Sequence, residues 1–215
     1  MKTRVFLIVM ALALIGVSSA SAQYRGGTVE LNGFAGYLFG GHFGDVPGTD
    51  VYPYGYRLDI GDDLNYGGRI GYNFNSLFEA EFEYARTDTN LEVDPFNSNL
   101  PKVDFAPFSI QYFMGYMTFN FGHGRGVPYF TIGGGAANFN PTFGNIDFNS
   151  KTYGTAAIGG GYKYFFNPHF GLRLDGRVYS TAVGSRTFYC GYGYYCTDTN
   201  WVTNVVANGG ILIAF

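Results

Sequence analysis

The sequence predicts an all-β fold, an eight-stranded antiparallel up-and-down transmembrane β-barrel. Three observations support it: an alternating terminal strand, a charge-free face on every strand, and connections that are short and long by turns. The stretch from Trp201 to Phe215 shows the first. Counting back from Phe215, Ile213, Ile211, Gly209, Ala207, Val205, Thr203 and Trp201 are apolar or small and uncharged, while the other set includes Asn208 and Asn204. Side chains two apart share one face of a strand, so this segment has a greasy face and a wetter one. The greasy face begins with the only Trp of the chain and ends in Phe, residue types that settle at the two surfaces of a bilayer.

Ahead of the strands, Lys2 and Arg4 precede an apolar run from Val5 to Val17, followed by Ser18-Ser19-Ala20-Ser21-Ala22. This is the pattern of a secretory signal peptide. The run is too short for a spanning helix, which needs about 20 residues. The expectation is that residues 1–22 are removed and that residues 23–215 form one domain, the loss of Lys2 and Arg4 taking the formal charge from −3 to −5. The 33 Gly, 22 Phe and 19 Tyr beside only 13% charged residues suit tightly curved strands with aromatic girdles. Mild acidity without a basic patch argues against a nucleic-acid partner.

The eight strands follow in order. The first, about 28–39, sets Val29, Leu31, Ala35, Tyr37 and Phe39 against Glu30 and Asn32. The second (65–75) sets Gly68, Ile70, Tyr72 and Phe74 against Arg69, and the third (77–87) sets Phe78, Ala80, Phe82 and Tyr84 against Glu79, Glu81 and Glu83; they meet at Asn75-Ser76. The fourth (108–121) carries Phe113, Met117, Phe119 and Phe121 opposite Thr118 and Asn120. Gly122-His123-Gly124-Arg125-Gly126 leads to the fifth (128–138), with Phe130, Ile132 and Ala136 opposite Thr131. The sixth (154–166) opposes Ile158, Tyr162 and Tyr164 to Lys163, and the seventh (169–180) opposes Leu172, Leu174 and Val178 to Arg173, Asp175 and Arg177; Asn167-Pro168 joins them. The eighth is 201–215.

The three short turns alternate with four long connections rich in Gly, Asn, Asp, Pro and Tyr, as periplasmic turns alternate with extracellular loops in outer-membrane barrels. No residue of the candidate lipid face is charged, and one lipid-facing Arg or Lys at the midplane would cost about 2–4 kcal/mol. Phe74, Phe121, Tyr164 and Phe215 are expected in the periplasmic girdle. A soluble, lipocalin-like barrel would turn the alternation inside out, and its narrow lumen would be overfilled by these aromatics.

The strings GGRIGYNF (67–74), FEAEFEYA (78–85), VPYFTIGGG (127–135) and GGGYKYFFNPHFGLRLDGRVYS (159–180) resemble the small bacterial outer-membrane β-barrels of the OmpA/OmpX type. The resemblance covers nearly the whole of residues 23–215. It implies a place in the bacterial outer membrane, with the lipid bilayer and lipopolysaccharide as surroundings, a monomeric barrel without cofactor, and Phe215 as the assembly signal read by the outer-membrane insertion machinery.

Chemistry-bearing residues concentrate on the lumen face. Pairing across Asn75-Ser76 brings Arg69 opposite Glu81 or Glu83, within reach of long side chains about 7 Å apart along the diagonal. Five acids (Glu30, Glu79, Glu81, Glu83, Asp175) and four bases (Arg69, Lys163, Arg173, Arg177) are expected to meet in a lumen ionic core that fixes register and blocks the bore, the alternative being a gated path for ions or small solutes. Cys190 and Cys196, expected as a disulfide in an exported protein, would stiffen a Tyr-rich tip in the loop 181–200, the candidate surface for an extracellular ligand. Asp45, Asp50, Asp59, Asp62 and Asp63 of the first long loop could take a divalent cation, but solvated loop acids are commoner and the spacing is not that of an EF-hand. A lipid-modifying enzyme would need a nucleophile or base near the outer leaflet, and of the three His only His42 falls in the loops; His42 with Asp45 and Ser185 is a combination that almost any loop set offers, too unspecific to assign catalysis. The leading expectation is a non-enzymatic barrel with a structural or surface-interaction, adhesion-like role; a narrow channel is the alternative.

Overall fold

The computed structural model describes residues 26–46, 56–95, 102–122, 124–143, 146–147, 150–191 and 194–215. The expected signal peptide and its cleavage site lie outside this set. Eleven strands occur among the described residues: β1 (Thr28–Phe39), β2 (His42–Val46), β3 (Tyr56–Ile60), β4 (Asp63–Asn73), β5 (Phe78–Pro95), β6 (Val103–Asn120), β7 (Gly126–Phe143), β8 (Ile146–Asp147), β9 (Lys151–Asn167), β10 (Phe170–Gly191) and β11 (Tyr194–Ala214). Eight of them close a barrel in the order β1-β4-β5-β6-β7-β9-β10-β11, with β11 returning to β1 and every pairing antiparallel. Closure leaves no edge along the barrel wall, a requirement for a sheet in hydrocarbon.

The register follows from the turns. Asn75 Oδ1 accepts hydrogen bonds from the Leu77 and Phe78 amides at 2.8 Å, and Asn167 Oδ1 accepts from His169 and Phe170 at 2.9 and 2.8 Å. Each Asn side chain thus imitates the backbone of a tight turn. At the seam Val29 and Phe215 exchange amide-to-carbonyl bonds of 3.2 and 2.9 Å, which fixes the whole of β1 against β11. Gly27, at φ +80°, makes the left-handed bend that leads into β1.

Alternation sorts the faces as expected. Outward positions such as Leu31, Ile70, Phe82, Met117, Ile132, Ile158, Leu174 and Ile211 are exposed, and Phe74, Phe121, Tyr164 and Phe215 form an exposed aromatic ring around the turn end. All nine expected core charges are buried. The soluble, inside-out barrel is therefore not the fold of this chain.

The long connections differ from expectation. Residues read as loops continue as strand: β5 runs to Pro95, β6 begins at Val103, β7 reaches Phe143, β10 extends to Gly191 and β11 begins at Tyr194. The first connection contains the hairpin β2–β3, with β3 paired to β5. Backbone pairing satisfies amides that an irregular loop would leave to solvent, and Thr, Val and Tyr in these segments suit a pleated sheet. The described parts of these connections are thus paired strands.

Candidate functional site: a filled lumen

Phe165, Leu212 and Ala214 form an apolar floor at the periplasmic end of the lumen. Just above, Lys163 Nζ lies 2.6 Å from both Glu30 Oε2 and Glu79 Oε2. Asn73 Nδ2 donates to Glu30 at 3.0 Å and Asn120 Nδ2 to Glu79 at 3.1 Å. Both Asn side chains come from the last residues of β4 and β6, so the strand ends place them level with the carboxylates.

The second tier holds the three arginines. Arg69 Nε is 2.5 Å from Glu83 Oε2, while its Nη1 and Nη2 form a fork on Asp175 at 2.5 and 3.1 Å. Glu83 is the direct cross-strand partner of Arg69, and Glu81 is farther, at 3.9 Å. Arg173 Nη1 bonds Glu81 Oε2. Arg177 Nη2 meets Glu81 Oε1 at 2.6 Å and Nη1 lies 3.1 Å from Glu83 Oε2. Three acids and three bases thus interlock, so no member can leave without disturbing two others. The nine groups form two tiers, and Tyr129 stands between them: its hydroxyl accepts from Arg173 Nε at 2.7 Å and its ring lies 5.6 Å from Lys163 Nζ.

Aromatic groups complete the tier, and they escaped the sequence reading. Tyr179 and Tyr116 hydroxyls donate to Glu83 Oε1 at 2.6 and 3.1 Å. Phe34, Tyr129 and Tyr116 rings sit 3.9, 4.4 and 4.2 Å from the guanidinium carbons of Arg69, Arg173 and Arg177. Each buried arginine is held by carboxylate in its plane and by a ring on its face, which offsets part of its desolvation.

Toward the extracellular end the lumen turns apolar. Leu38, Phe108, Ile110, Tyr112, Met114, Phe139, Val202 and Val206 are buried in one cluster, and Tyr112 stacks on Tyr179 at 4.3 Å. Phe43 of β2 reaches in from above, its ring 6.4 Å from Phe108 and 6.3 Å from Phe139. From the periplasmic end upward the lumen thus holds an apolar floor, two ionic tiers and an aromatic cap.

The remaining sequence candidates do not gather into a site. His42 Nδ1 lies 3.1 Å from Asp59, not against Asp45 or Ser185, whose side chains are outside the described set. Asp62 accepts from the Gly40 amide at 2.8 Å and Asp63 from the Leu64 amide at 2.6 Å, local backbone roles; Asp50 and His123 lie outside the described residues. Lys102 spans Asp59 and Glu92 at 3.4 and 3.7 Å. Slight burial pulls its pKa down, but the hydrogen bond and charge of Asp59, with Glu92 and Asp94, raise it overall. The backbones of Cys190 and Cys196 belong to β10 and β11, with Phe188 opposite Cys196, but the two thiol side chains are outside the described set.

A closed eight-stranded antiparallel barrel, apolar outside and ionic within, is a transmembrane barrel of the outer-membrane class. The sequence matches the Outer membrane protein beta-barrel domain family over residues 7–205, and the chain belongs to that family. Among curated proteins no sequence relative is detected. Solved structures with the same fold include the N-terminal β-barrel domain of Pseudomonas aeruginosa OprF (17% identity, 90% of this chain and 100% of that one, TM-score 0.52). They also include Neisserial surface protein A (14%, 90% and 99%, 0.56) and the outer membrane protein OprG from Pseudomonas aeruginosa (15%, 89% and 97%, 0.56). The protein is a bacterial outer-membrane protein.

Proposed function

We propose that this barrel works through its extracellular hairpins as a surface-interaction protein, and that its lumen is a plug and not a pathway. The filled lumen carries the reading. With floor, ionic tiers and cap in place, a solute would have to break several buried ion pairs to pass, and breaking one such pair costs about 3–5 kcal/mol. What the fold leaves accessible is the set of hairpins standing beyond the membrane, the longest being β10–β11. A neighbour of the same fold is named a surface protein, which agrees with this assignment. We assign no catalysis: the His42 ring is engaged with Asp59.

Two measurements test the reading. In planar bilayers the refolded protein should give at most rare, small openings; stable, large ohmic conductance would overturn the plug and make this a channel. Adhesion of cells carrying the intact barrel to a panel of matrix proteins should exceed that of cells carrying a form shortened within residues 181–200. Equal adhesion across the panel would remove the surface-interaction assignment. A disulfide between Cys190 and Cys196 would staple that hairpin, and thiol titration of the denatured, unreduced protein would then find no free thiol.

A further inference from the structure

The lower ionic tier does not balance. In the arginine tier Glu81, Glu83 and Asp175 face Arg69, Arg173 and Arg177, whereas Glu30 and Glu79 share the single ammonium of Lys163. No other charged side chain is buried in the lumen among the described residues. If both carboxylates were ionised, one negative charge would stand uncompensated above the apolar floor, and a buried charge without a partner is far costlier than a paired one.

Hydrogen bonding shows which carboxylate is in surplus. Glu30 engages both oxygens, Oε1 accepting from Asn73 Nδ2 at 3.0 Å and Oε2 from Lys163 Nζ at 2.6 Å. Glu79 engages one. Its Oε2 accepts from Lys163 at 2.6 Å and from Asn120 Nδ2 at 3.1 Å, while Oε1 has no hydrogen-bond partner among the described residues. Asn120 Oδ1 is a second open acceptor in the same group. Glu79 is 1% exposed and Asn120 6%, so bulk solvent does not serve these oxygens. The other neighbours of Glu79 are committed elsewhere. Thr118, opposite it on β6, has its hydroxyl on Thr131 of β7 at 2.9 Å. Glu81 of the same strand and Arg173 of β10 act on Glu79 with opposite signs and are bonded to one another. Phe165 of β9 and Leu212 of β11 belong to the apolar floor.

A surplus negative charge and an acceptor without a donor have one remedy in common. A proton on Glu79 Oε1 cancels the charge and turns that oxygen into a donor. A metal ion fits less well, since hard cations gather about six oxygens. Glu79 Oε1 also lies so close over Gly71 that a Cβ built there would collide with it. We propose that Glu79 carries a proton in the folded barrel, and that this proton latches the lower tier. In alkali its loss would set two carboxylates against one ammonium and loosen the tier. The latch rests on the plug proposed above, whereas the proton is read from unfolding alone, so the two fail separately.

Urea unfolding in phospholipid vesicles, followed across pH, tests the proton. An unfolded glutamate ionises at about pH 4.3. Between that pH and the one at which folded Glu79 ionises, unfolding releases a proton, so stability falls as pH rises. Glu79→Gln keeps the tier neutral and puts an amide donor in the place of the acid. It should match the wild type at about pH 4 and then gain on it by about tenfold per pH unit in the unfolding equilibrium constant. Glu81→Gln, which leaves Arg173 and Arg177 short of a carboxylate, should be less stable than the wild type at every pH. The same pH dependence in wild type and Glu79→Gln overturns the proton. So does a wild-type stability that differs between sodium and choline chloride, which would mark a metal ion in its place. If Glu79→Gln fails to assemble, judged by loss of heat-modifiable migration, Glu30→Gln removes the surplus charge by another route and should show the same gain. In either case the infrared spectrum of wild type carrying isotope-labelled glutamate must show a protonated carboxyl at neutral pH, and its absence overturns the proposal. In planar bilayers openings of the wild type should grow more frequent above neutral pH while those of Glu79→Gln do not; equal behaviour overturns the latch.

Discussion

Arg177→Ala is the sharpest test of the filled lumen. Arg177 is buried, meets Glu81 at 2.6 Å and Glu83 at 3.1 Å, and lies over the Tyr116 ring at 4.2 Å. Removing it leaves Glu81, Glu83 and Asp175 to share Arg69 and Arg173, one uncompensated negative charge in a water-poor space. Breaking a buried pair from one side costs about 3–5 kcal/mol. Lost ring contact adds to this, while retained bonds from Arg69 and from the Tyr116 and Tyr179 hydroxyls to Glu83 limit it, so about 4 kcal/mol is expected. The paired change Arg177→Met with Glu83→Gln removes one charge of each sign. It keeps the Arg69 fork on Asp175 and the Arg173 bond to Glu81, and the new side-chain amide oxygen can still accept from both tyrosines. Every remaining charge of the arginine tier is paired, and the cost should fall to about 1–2 kcal/mol, since neutral replacement of a buried pair is often tolerated. Urea unfolding in phospholipid vesicles reads both variants through Trp201, the single Trp of the chain and exposed on β11. The single Arg variant should also leak in planar bilayers. A paired variant as unstable as the single one would refute charge interdependence as the organising force of the lumen.

Other perturbations probe other layers. Lys163→Met removes the ammonium shared by Glu30 and Glu79 and should cost about 3–5 kcal/mol in the same urea assay. Phe43→Ala truncates a half-buried ring of the cap and should cost about 1–2 kcal/mol, below the roughly 3–5 of a fully buried Phe, with conductance still closed because the ionic tiers below are intact. Gly36→Ala would drive a Cβ into the Ala207 carbonyl oxygen, whereas Gly33→Ala on the outward face meets nothing within 4 Å; the first should slow or prevent assembly on heat-modifiability gels and the second should assemble normally.

Which parts of this structure could be read from the sequence follows from where the environment enforces a pattern. Between the girdles hydrocarbon tolerates no charge, so Glu30, Arg69, Glu79 and Arg173 set the phase of their strands, and the short turn at Asn75 then places Arg69 beside Glu83. The cap was not legible for the same reason. The upper half of β6 carries no charge on either face, with Phe108, Ile110, Tyr112, Met114 and Tyr116 inward and Ser109, Gln111, Phe113 and Met117 outward, so a search for the charge-free face decides nothing there. Phase carried up from Thr118 and Asn120 was the available signal, because a strand without a bulge keeps its faces. Above the membrane both faces are wet and nothing enforces alternation. Thr89, Asn90 and Asp94 then read as loop residues although β5 continues through them.

The two halves of the lumen also divide the work of closure. The ionic tiers sit where the wall is surrounded by hydrocarbon, and there each charge is held in place because its alternatives, lipid outside or an unpaired position inside, are both costly. The aromatic cap sits toward the extracellular end, where β2 and Phe43 come from a connection that lies outside the barrel wall. A ring held by packing can be displaced at the cost of its buried area, about 25 cal/mol per Å² of apolar surface. Displacing an arginine from three carboxylates costs more and leaves charge behind. If the proposed surface-interaction role holds, a ligand engaging the hairpins would shift the cap while the tiers stay in place, so the proposed binding and the proposed plug would not compete.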